Sequence, residues 1–239
     1  MNSLKKLNIN QNKGEGDKMK KIKLSPSILD SDLASIKETV KLLEKNRVDF
    51  IHFDVMDGNF VPNLTFGPNF IKSVRKLTSL PFDVHLMIKN PENYVENFKK
   101  AGADYITIHY EATKMVTDIL KNIKNMGGKS GISVKPKTKI TAINKYLKYL
   151  DLILIMSVEP GFGGQKFMPE VLEKVKYLKK IRDEKKLNFL ISIDGGINPE
   201  TAKYACKAGV DILVAGSTIF KSNSPSKIIK QLYNSCKNI

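Results

Sequence analysis

The sequence predicts a single α/β domain, a closed (β/α)8 barrel of the TIM type. Three observations carry this. Short apolar, β-biased runs alternate with helix-patterned segments eight times, which implies a mainly parallel sheet. The 239 residues suit one barrel of roughly 250 residues. The junctions also repeat: Arg47-Val48-Asp49, Gly102-Ala103-Asp104, Leu150-Asp151 and Gly209-Val210-Asp211 each lead from a helix end into a strand, once every two strand–helix units.

Taken in order, a strand-like run Ile22–Leu29 is followed by a helix whose Leu33, Ile36, Val40, Leu42 and Leu43 keep helical spacing behind Ser31 or Asp32 as cap. Asp49–Met56 is the second strand, closed by the turn pair Asp57-Gly58, and a long loop runs from Gly58 to Gly67. A helix over Pro68–Leu77 and a strand over Phe82–Met87 come next, then a helix opening at Asn90-Pro91-Glu92 with proline at the first helical position. Strands follow at Tyr105–Ile108, Ser130–Val134, Leu152–Met156, Phe189–Ile193 and Ile212–Ala215. Helices over Met115–Met126, Ile140–Leu147, Pro169–Glu184, Pro199–Ala208 and Pro225–Cys236 separate and follow them. The strands read as near-continuous apolar runs, as expected where both faces are covered.

Composition narrows the function classes. The hydrophobic share of 41% supports a core, and no apolar run reaches the ~18 residues of a membrane span. Residues 1–21 are Lys/Asn-rich and poor in apolar side chains, so they read as a flexible extension before a barrel domain spanning 22–239. Cys206 and Cys236 sit far apart in predicted helices, outside any CxxC or ligand cluster. They read as reduced thiols of an intracellular, cytoplasmic protein. The net charge of +16 is spread through every helix, without interleaved stacking aromatics. It fits solvated surface and mild steering of an anionic metabolite better than nucleic-acid binding.

In such a barrel the chemistry sits at the C-terminal strand ends. Alternation puts Phe50, His52, Asp54 and Met56 on one face of the second strand. His85 ends the third strand and Asp194 the seventh. All three histidines of the chain fall at strand ends: His52, His85 and His109. His52, Asp54, His85 and Asp194 form a His2Asp2 set suited to one divalent ion, Zn2+, Fe2+, Mn2+ or Co2+. The competing reading is a metal-free, hydrogen-bonded polar cluster. His109 is assigned a hydrogen-bonding role behind the ligands in preference to direct ligation.

A second group is anion-binding in character. Gly161, Phe162, Gly163 and Gly164 follow the sixth strand, Gly195 and Gly196 the seventh, Gly216 and Ser217 the eighth. Adjacent glycine loops let backbone N–H groups approach a phosphate; singly, each could be only a tight turn. The spacing matches neither a Walker loop nor a dinucleotide fingerprint, so neither ATP nor NAD is expected. Met56, Met87 and Met156 at the strand ends are either core filler or a soft apolar wall around a reacting centre.

These residues carry a resemblance. Pro26-Ser27-Ile28-Leu29, the run HFDVMDGNFVPNLTFGP from His52 to Pro68, His85-Leu86-Met87, His109-Tyr110-Glu111-Ala112, the run MSVEPGFGGQKF from Met156 to Phe167, Asp194-Gly195-Gly196-Ile197 and Val214-Ala215-Gly216-Ser217 occur in the order of the ribulose-phosphate 3-epimerase family. The chain resembles that family from about Lys23 to Ser222, without departure at a functional position; the N-terminal extension is not part of the family's usual core.

The resemblance implies a ribulose-phosphate-binding barrel and an isomerase that interconverts D-ribulose 5-phosphate and D-xylulose 5-phosphate in the pentose phosphate pathway. It also implies a metal, commonly zinc or iron, on His52, Asp54, His85 and Asp194, with Asp54 and Asp194 as the acid/base pair. Substrate contacts are implied for Ser27, His85, Gly161 to Gly164, Asp194 to Gly196, Gly216 and Ser217. Met56, Met87 and Met156 are implied around the intermediate. A homo-oligomer, dimer or hexamer, is expected, with no nucleic-acid or membrane partner.

The chemistry agrees with this. Inverting a carbon next to a ketone requires proton removal from one face and delivery to the other, so two carboxylates are needed. An allulose 6-phosphate 3-epimerase would share the same motifs. A metal-free lyase or decarboxylase of the same barrel type would need Asp-x-Lys-x-x-Asp, and the corresponding strand reads Asp54-Val55-Met56-Asp57, without lysine.

Overall fold

The computed structural model describes residues 22–237. Eight parallel strands form one sheet: β1 (Lys23–Pro26), β2 (Ile51–Met56), β3 (Phe82–Met87), β4 (Tyr105–His109), β5 (Lys129–Val134), β6 (Leu152–Met156), β7 (Leu190–Asp194) and β8 (Ile212–Ala215). Hydrogen-bonded neighbours run β1-β8-β7-β6-β5-β4-β3-β2. The remaining seam, between β1 and β2, is closed by a parallel bridge between Ser27 and His52 and by bonds from the Asp49 and Phe50 N–H groups to the Leu24 carbonyl. The expected barrel is therefore present. The expected N-terminal extension, residues 1–21, lies outside the described residues.

Alternation sorts the strand side chains. Outward-facing Ile51, Phe53, Val55, Val84, Leu86, Ile106 and Ile153 pack against the helices. Phe50, Leu152, Leu154, Met156, Ile212 and Val214 fill the barrel interior as a separate cluster. Every residue of β2, β3 and β6 is buried, which is why these strands lack a solvent-facing side.

The outer layer is α1 (Ile36–Lys45), α2 (Pro68–Arg75), α3 (Val95–Ala101), α4 (Val116–Asn125), α5 (Leu172–Glu184), α6 (Pro199–Ala208), a short α7 (Ser217–Phe220) directly after β8, and α8 (Pro225–Ser235). Asn198 caps α6 with a reciprocal Thr201 bond. Two differences from the sequence reading stand out. The segment expected as the fifth helix is a run of 3-10 turns, Ile140–Tyr149, in which Ile140, Ile143, Tyr146 and Leu147 are still buried at near-threefold spacing. The short α7 is an addition that the sequence reading does not contain.

The repeated junction aspartates share one task at the bottom of the barrel. Asp49 accepts the Leu24 N–H at 3.0 Å, Asp104 the Phe82 N–H at 2.8 Å, Asp151 the Ser130 N–H at 3.0 Å and Asp211 the Ile191 N–H at 2.8 Å. Each carboxylate before an even-numbered strand thus ties down the start of the odd-numbered strand preceding it. Asp211 is further ion-paired with buried Arg182.

The cysteine reading is corrected. Cys206 on α6 and Cys236 at the end of α8 are joined in a disulfide, with Cα atoms 5.7 Å apart, and no free cysteine remains among the described residues. The two helices pack side by side on the barrel wall because they follow the adjacent strands β7 and β8. No helix of the described residues is long and apolar enough to cross a membrane.

Candidate active site

At the C-terminal mouth a cavity opens between the strand ends. Its floor is the polar cluster. Asp54 and His85 are direct neighbours in the β2–β3 register, and Met156 and Asp194 in β6–β7. One ligand atom each from His52, Asp54, His85 and Asp194 lies within 4.8 Å of the others. This set, two imidazoles and two carboxylates converging from three strands, fits one divalent ion.

The hydrogen bonds define which atoms converge. Asp54 Oδ1 is 3.2 Å from both His52 Nε2 and His85 Nδ1, and Asp54 Oδ2 accepts from Ser27 Oγ at 2.5 Å. His52 turns its other nitrogen, Nδ1, to Asp83 Oδ2 at 2.8 Å. Asp83 is buried, and its Oδ1 has no hydrogen-bond partner. This carboxylate–histidine arm orients His52, and the sequence reading assigns Asp83 no role. A signal for it exists: Asp83 precedes His85 by two residues and so shares its inward face. His109 stands behind His85, Nε2 to Nε2 at 2.9 Å, outside the converging set; this is the hydrogen-bonding position expected for it.

Electrostatics separate the two aspartates. Burial works against ionising Asp54, but the charge and hydrogen bonds of His52 and His85 outweigh it and hold its carboxyl well below the usual range. Burial and the neighbouring Asp54 charge push Asp194 up to about 8. His52 is raised because Asp54 and Asp83 overcome its burial. In His85 burial prevails and the ring is shifted down.

The walls contain the other expected residues. Ser27, Met56, Met87, Met156, Gly161, Phe162, Gly163, Gly164, Asp194, Gly195, Gly196, Gly216 and Ser217 all line the cavity. Met56 and Met87 face each other across the β2–β3 register and pack with Val61. Met156 belongs to the interior cluster on the opposite side, so the three thioethers flank the carboxylates from both sides. Buried His52 and His85 sit beneath the lining.

The glycine loops are close-packed. At Gly196, φ is +61° and a Cβ would lie 2.6 Å from the Phe167 backbone nitrogen. At Gly163 it would lie 2.4 Å from Asp30 Oδ2. Asp30 in turn pairs with Lys221 Nζ at 2.9 Å on the rim of the cup, a cation the sequence reading does not single out. The loop after β2 is folded over the site by the Asp57 carboxylate, which accepts the N–H groups of Asn59, Phe60 and Lys89. It is joined to the glycine loop by Asn63 Nδ2 donating to the Gly161 carbonyl at 2.9 Å.

The fold and the position of this cluster place the chain among barrel enzymes that work at the C-terminal mouth of the strands. Its sequence matches the ribulose-phosphate 3 epimerase family over residues 23–220. It is 46% identical to the ribulose-phosphate 3-epimerase of Bacillus subtilis over 215 residues, covering 90% of this chain and 99% of that protein. It is 44% identical to the corresponding protein of Synechocystis over 218 residues, 90% of this chain and 95% of that one. Among solved structures, the 3-hexulose-6-phosphate synthase from Salmonella typhimurium superposes with a TM-score of 0.69 at 18% identity, covering 90% of this chain and 98% of that one; this likeness is one of fold. The chain belongs to the ribulose-phosphate 3-epimerase family, and it is an isomerase.

Proposed function

We propose that the chain inverts C3 of D-ribulose 5-phosphate to give D-xylulose 5-phosphate, in the non-oxidative pentose phosphate pathway, using Asp54 and Asp194 as its two proton-transfer groups. The observation that carries this is a pair of carboxylates, Asp54 on β2 and Asp194 on β7, that reach one cluster at the mouth of the barrel. A carboxylate on each side of the reacting carbon is what removal and redelivery of a proton require. A divalent ion held by His52, Asp54, His85 and Asp194, zinc or iron by preference, would supply positive charge beside the C2 carbonyl and make the C3 proton more acidic.

The protein does the rest. Asp54 takes the C3 proton of ribulose 5-phosphate on one face, and Asp194 gives a proton to the other. Ser27 steadies Asp54 through its 2.5 Å bond. The polarizable methionines exclude water while charge builds on the substrate oxygens. The glycine loops hold the phosphate through backbone N–H groups, and binding energy gained there aligns C3 between the aspartates. On this reading the enzyme works in the cytoplasm, as a homo-oligomer without nucleic-acid or membrane partners.

The test follows C3 of ribulose 5-phosphate by NMR in D2O, with and without chelator. Deuterium entering C3 together with appearance of xylulose 5-phosphate, both stopped by chelation and restored by zinc or iron, is the expected result. Exchange persisting after verified metal removal refutes the metal assignment. No exchange in metal-loaded protein refutes the substrate, and six-carbon ketose phosphates come next.

A further inference from the structure

The two cluster histidines turn different nitrogens to the site, Nε2 from His52 and Nδ1 from His85. An imidazole offers a lone pair only at the nitrogen without a proton, so each ring needs a partner that keeps the proton on its far nitrogen. For His52 that partner is the Asp83 carboxylate on Nδ1. For His85 the neighbour at Nε2 is another imidazole, His109, at 2.9 Å, and between two facing Nε2 atoms only one carries the hydrogen.

The next group along settles which. His109 Nδ1 lies 3.2 Å from Glu111 Oε2, and Glu111 Oε1 accepts from the Lys135 N–H at 2.9 Å and from Thr138 Oγ1. Burial opposes ionisation of Glu111, but these bonds hold its carboxyl down to about 2. An ionised carboxylate only accepts, so His109 carries its hydrogen on Nδ1. Its bare Nε2 can then accept from His85 Nε2–H, which frees His85 Nδ1, otherwise a donor to the Asp54 carboxylate, to face an ion. Both rings are fully buried, and Phe60 packs on His109 at 4.8 Å between ring centres, so water cannot substitute in the chain.

We propose that Glu111, acting through His109, is a positioning residue that fixes the tautomer of His85 and so presents its Nδ1 lone pair to a divalent ion. The inference rests on the metal reading above. It makes the site two-armed: a direct carboxylate arm from Asp83 to His52, and a relayed arm from Glu111 through His109 to His85.

Glu111→Gln tests it. The glutamine oxygen can keep the Lys135 and Thr138 donors, which turns its NH2 toward His109 Nδ1. The amide donates, the His109 hydrogen moves to Nε2, and the His85 hydrogen moves to Nδ1. Expected is a roughly 10–100-fold weaker affinity for Zn2+ and Co2+ in competition with a chelator, at an unchanged far-UV spectrum. Thr138→Val, which removes one donor on the side away from His109, is expected to stay within about twofold of wild type. Affinity of Glu111→Gln within about twofold of wild type overturns the proposal.

Histidine ¹⁵N–¹H correlation spectra of the Zn2+-loaded wild type give a second reading that needs no variant. Hydrogens on His109 Nδ1 and His85 Nε2 are expected; the reverse arrangement overturns the relay. Wild-type protein that binds neither ion refutes the metal site itself, whereas normal wild-type affinity with an insensitive Glu111→Gln refutes only the relay.

Discussion

Replacing Asp194 by Asn separates proton removal from inversion. The change is nearly isosteric and leaves Asp54, its Ser27 bond and both histidines in place. In the proposed scheme it removes the second proton-transfer group and also one carboxylate ligand of the ion, so metal occupancy is verified before each assay. General acid–base catalysis by one placed side chain contributes roughly 10²–10⁴-fold, or about 3–5 kcal/mol of barrier. Epimerisation should therefore fall at least about 100-fold. Asp54 can still lift the C3 proton of ribulose 5-phosphate and return one from the same face, so deuterium should still enter C3 without inversion. Starting from xylulose 5-phosphate, whose C3 proton faces Asp194, exchange should be lost. Asp54→Asn should give the mirror image. The assay is ¹H NMR of each epimer in D2O with metal-loaded variants. Equal loss of exchange from both epimers, or inversion within about tenfold of wild type, would refute the two-carboxylate division of labour.

Three further outcomes follow from the geometry. Lys221→Met removes the cation that pairs with Asp30 beside the glycine cup. A surface charge contact from Lys221 to the substrate phosphate would be worth about 0.2–1 kcal/mol, so on that reading KM should rise a few-fold with kcat within about twofold, and an unchanged KM would refute the contact. The Cys206–Cys236 link closes a separation of 30 residues, worth about 3–4 kcal/mol in the chain-entropy account. Cys206→Ser, or reduction of the wild type, should lower Tm by about 10 °C, and identical melting with and without reductant would show that the link contributes nothing. Glu111 is depressed to about 2 from its ordinary 4.5, so the folded state binds its proton more weakly than the unfolded chain. Its stabilisation is complete above about pH 4.5 and is lost as pH falls toward 2; between about pH 5 and 3 the Tm of wild type should drop further than that of Glu111→Gln.

Much of the site is legible because strand alternation is a strict geometric rule. Once His52 and Asp54 are two apart on a strand they share a face, and with that face inward His85 on the adjacent strand and Asp194 on β7 across the mouth converge on them. Asp83 obeys the same rule and escapes notice because a carboxylate at a strand start resembles a solvent-facing terminus; its burial depends on how far the barrel extends below the site. Glu111 lies inside the His109-Tyr110-Glu111-Ala112 motif, but its task depends on a 3-10 turn, Tyr110–Ala112, that brings it back beneath His109. The Cys206–Cys236 pairing and the Asp30–Lys221 pair join segments far apart in the chain, and no local pattern announces such contacts. The 3-10 run at Ile140–Tyr149 shares its apolar spacing with an α-helix over two turns, so periodicity alone does not separate them.

The four aspartate clamps at the barrel floor carry a consequence for how the chain can be cut. Each joins an odd strand to the even strand after it, so the molecule is four two-strand modules in series, β1–β2, β3–β4, β5–β6 and β7–β8, each fastened internally. A circular permutant opened at Thr78-Ser79, between α2 and β3, severs no clamp and parts only neighbouring modules. One opened within α3 divides β3 from the Asp104 that anchors it, and must recover that bond across a chain break. The first should fold as the native chain does, and the second should do so less well. The floor of the barrel thus records a quarter-fold modularity that the mouth, where every module contributes differently to the chemistry, has lost.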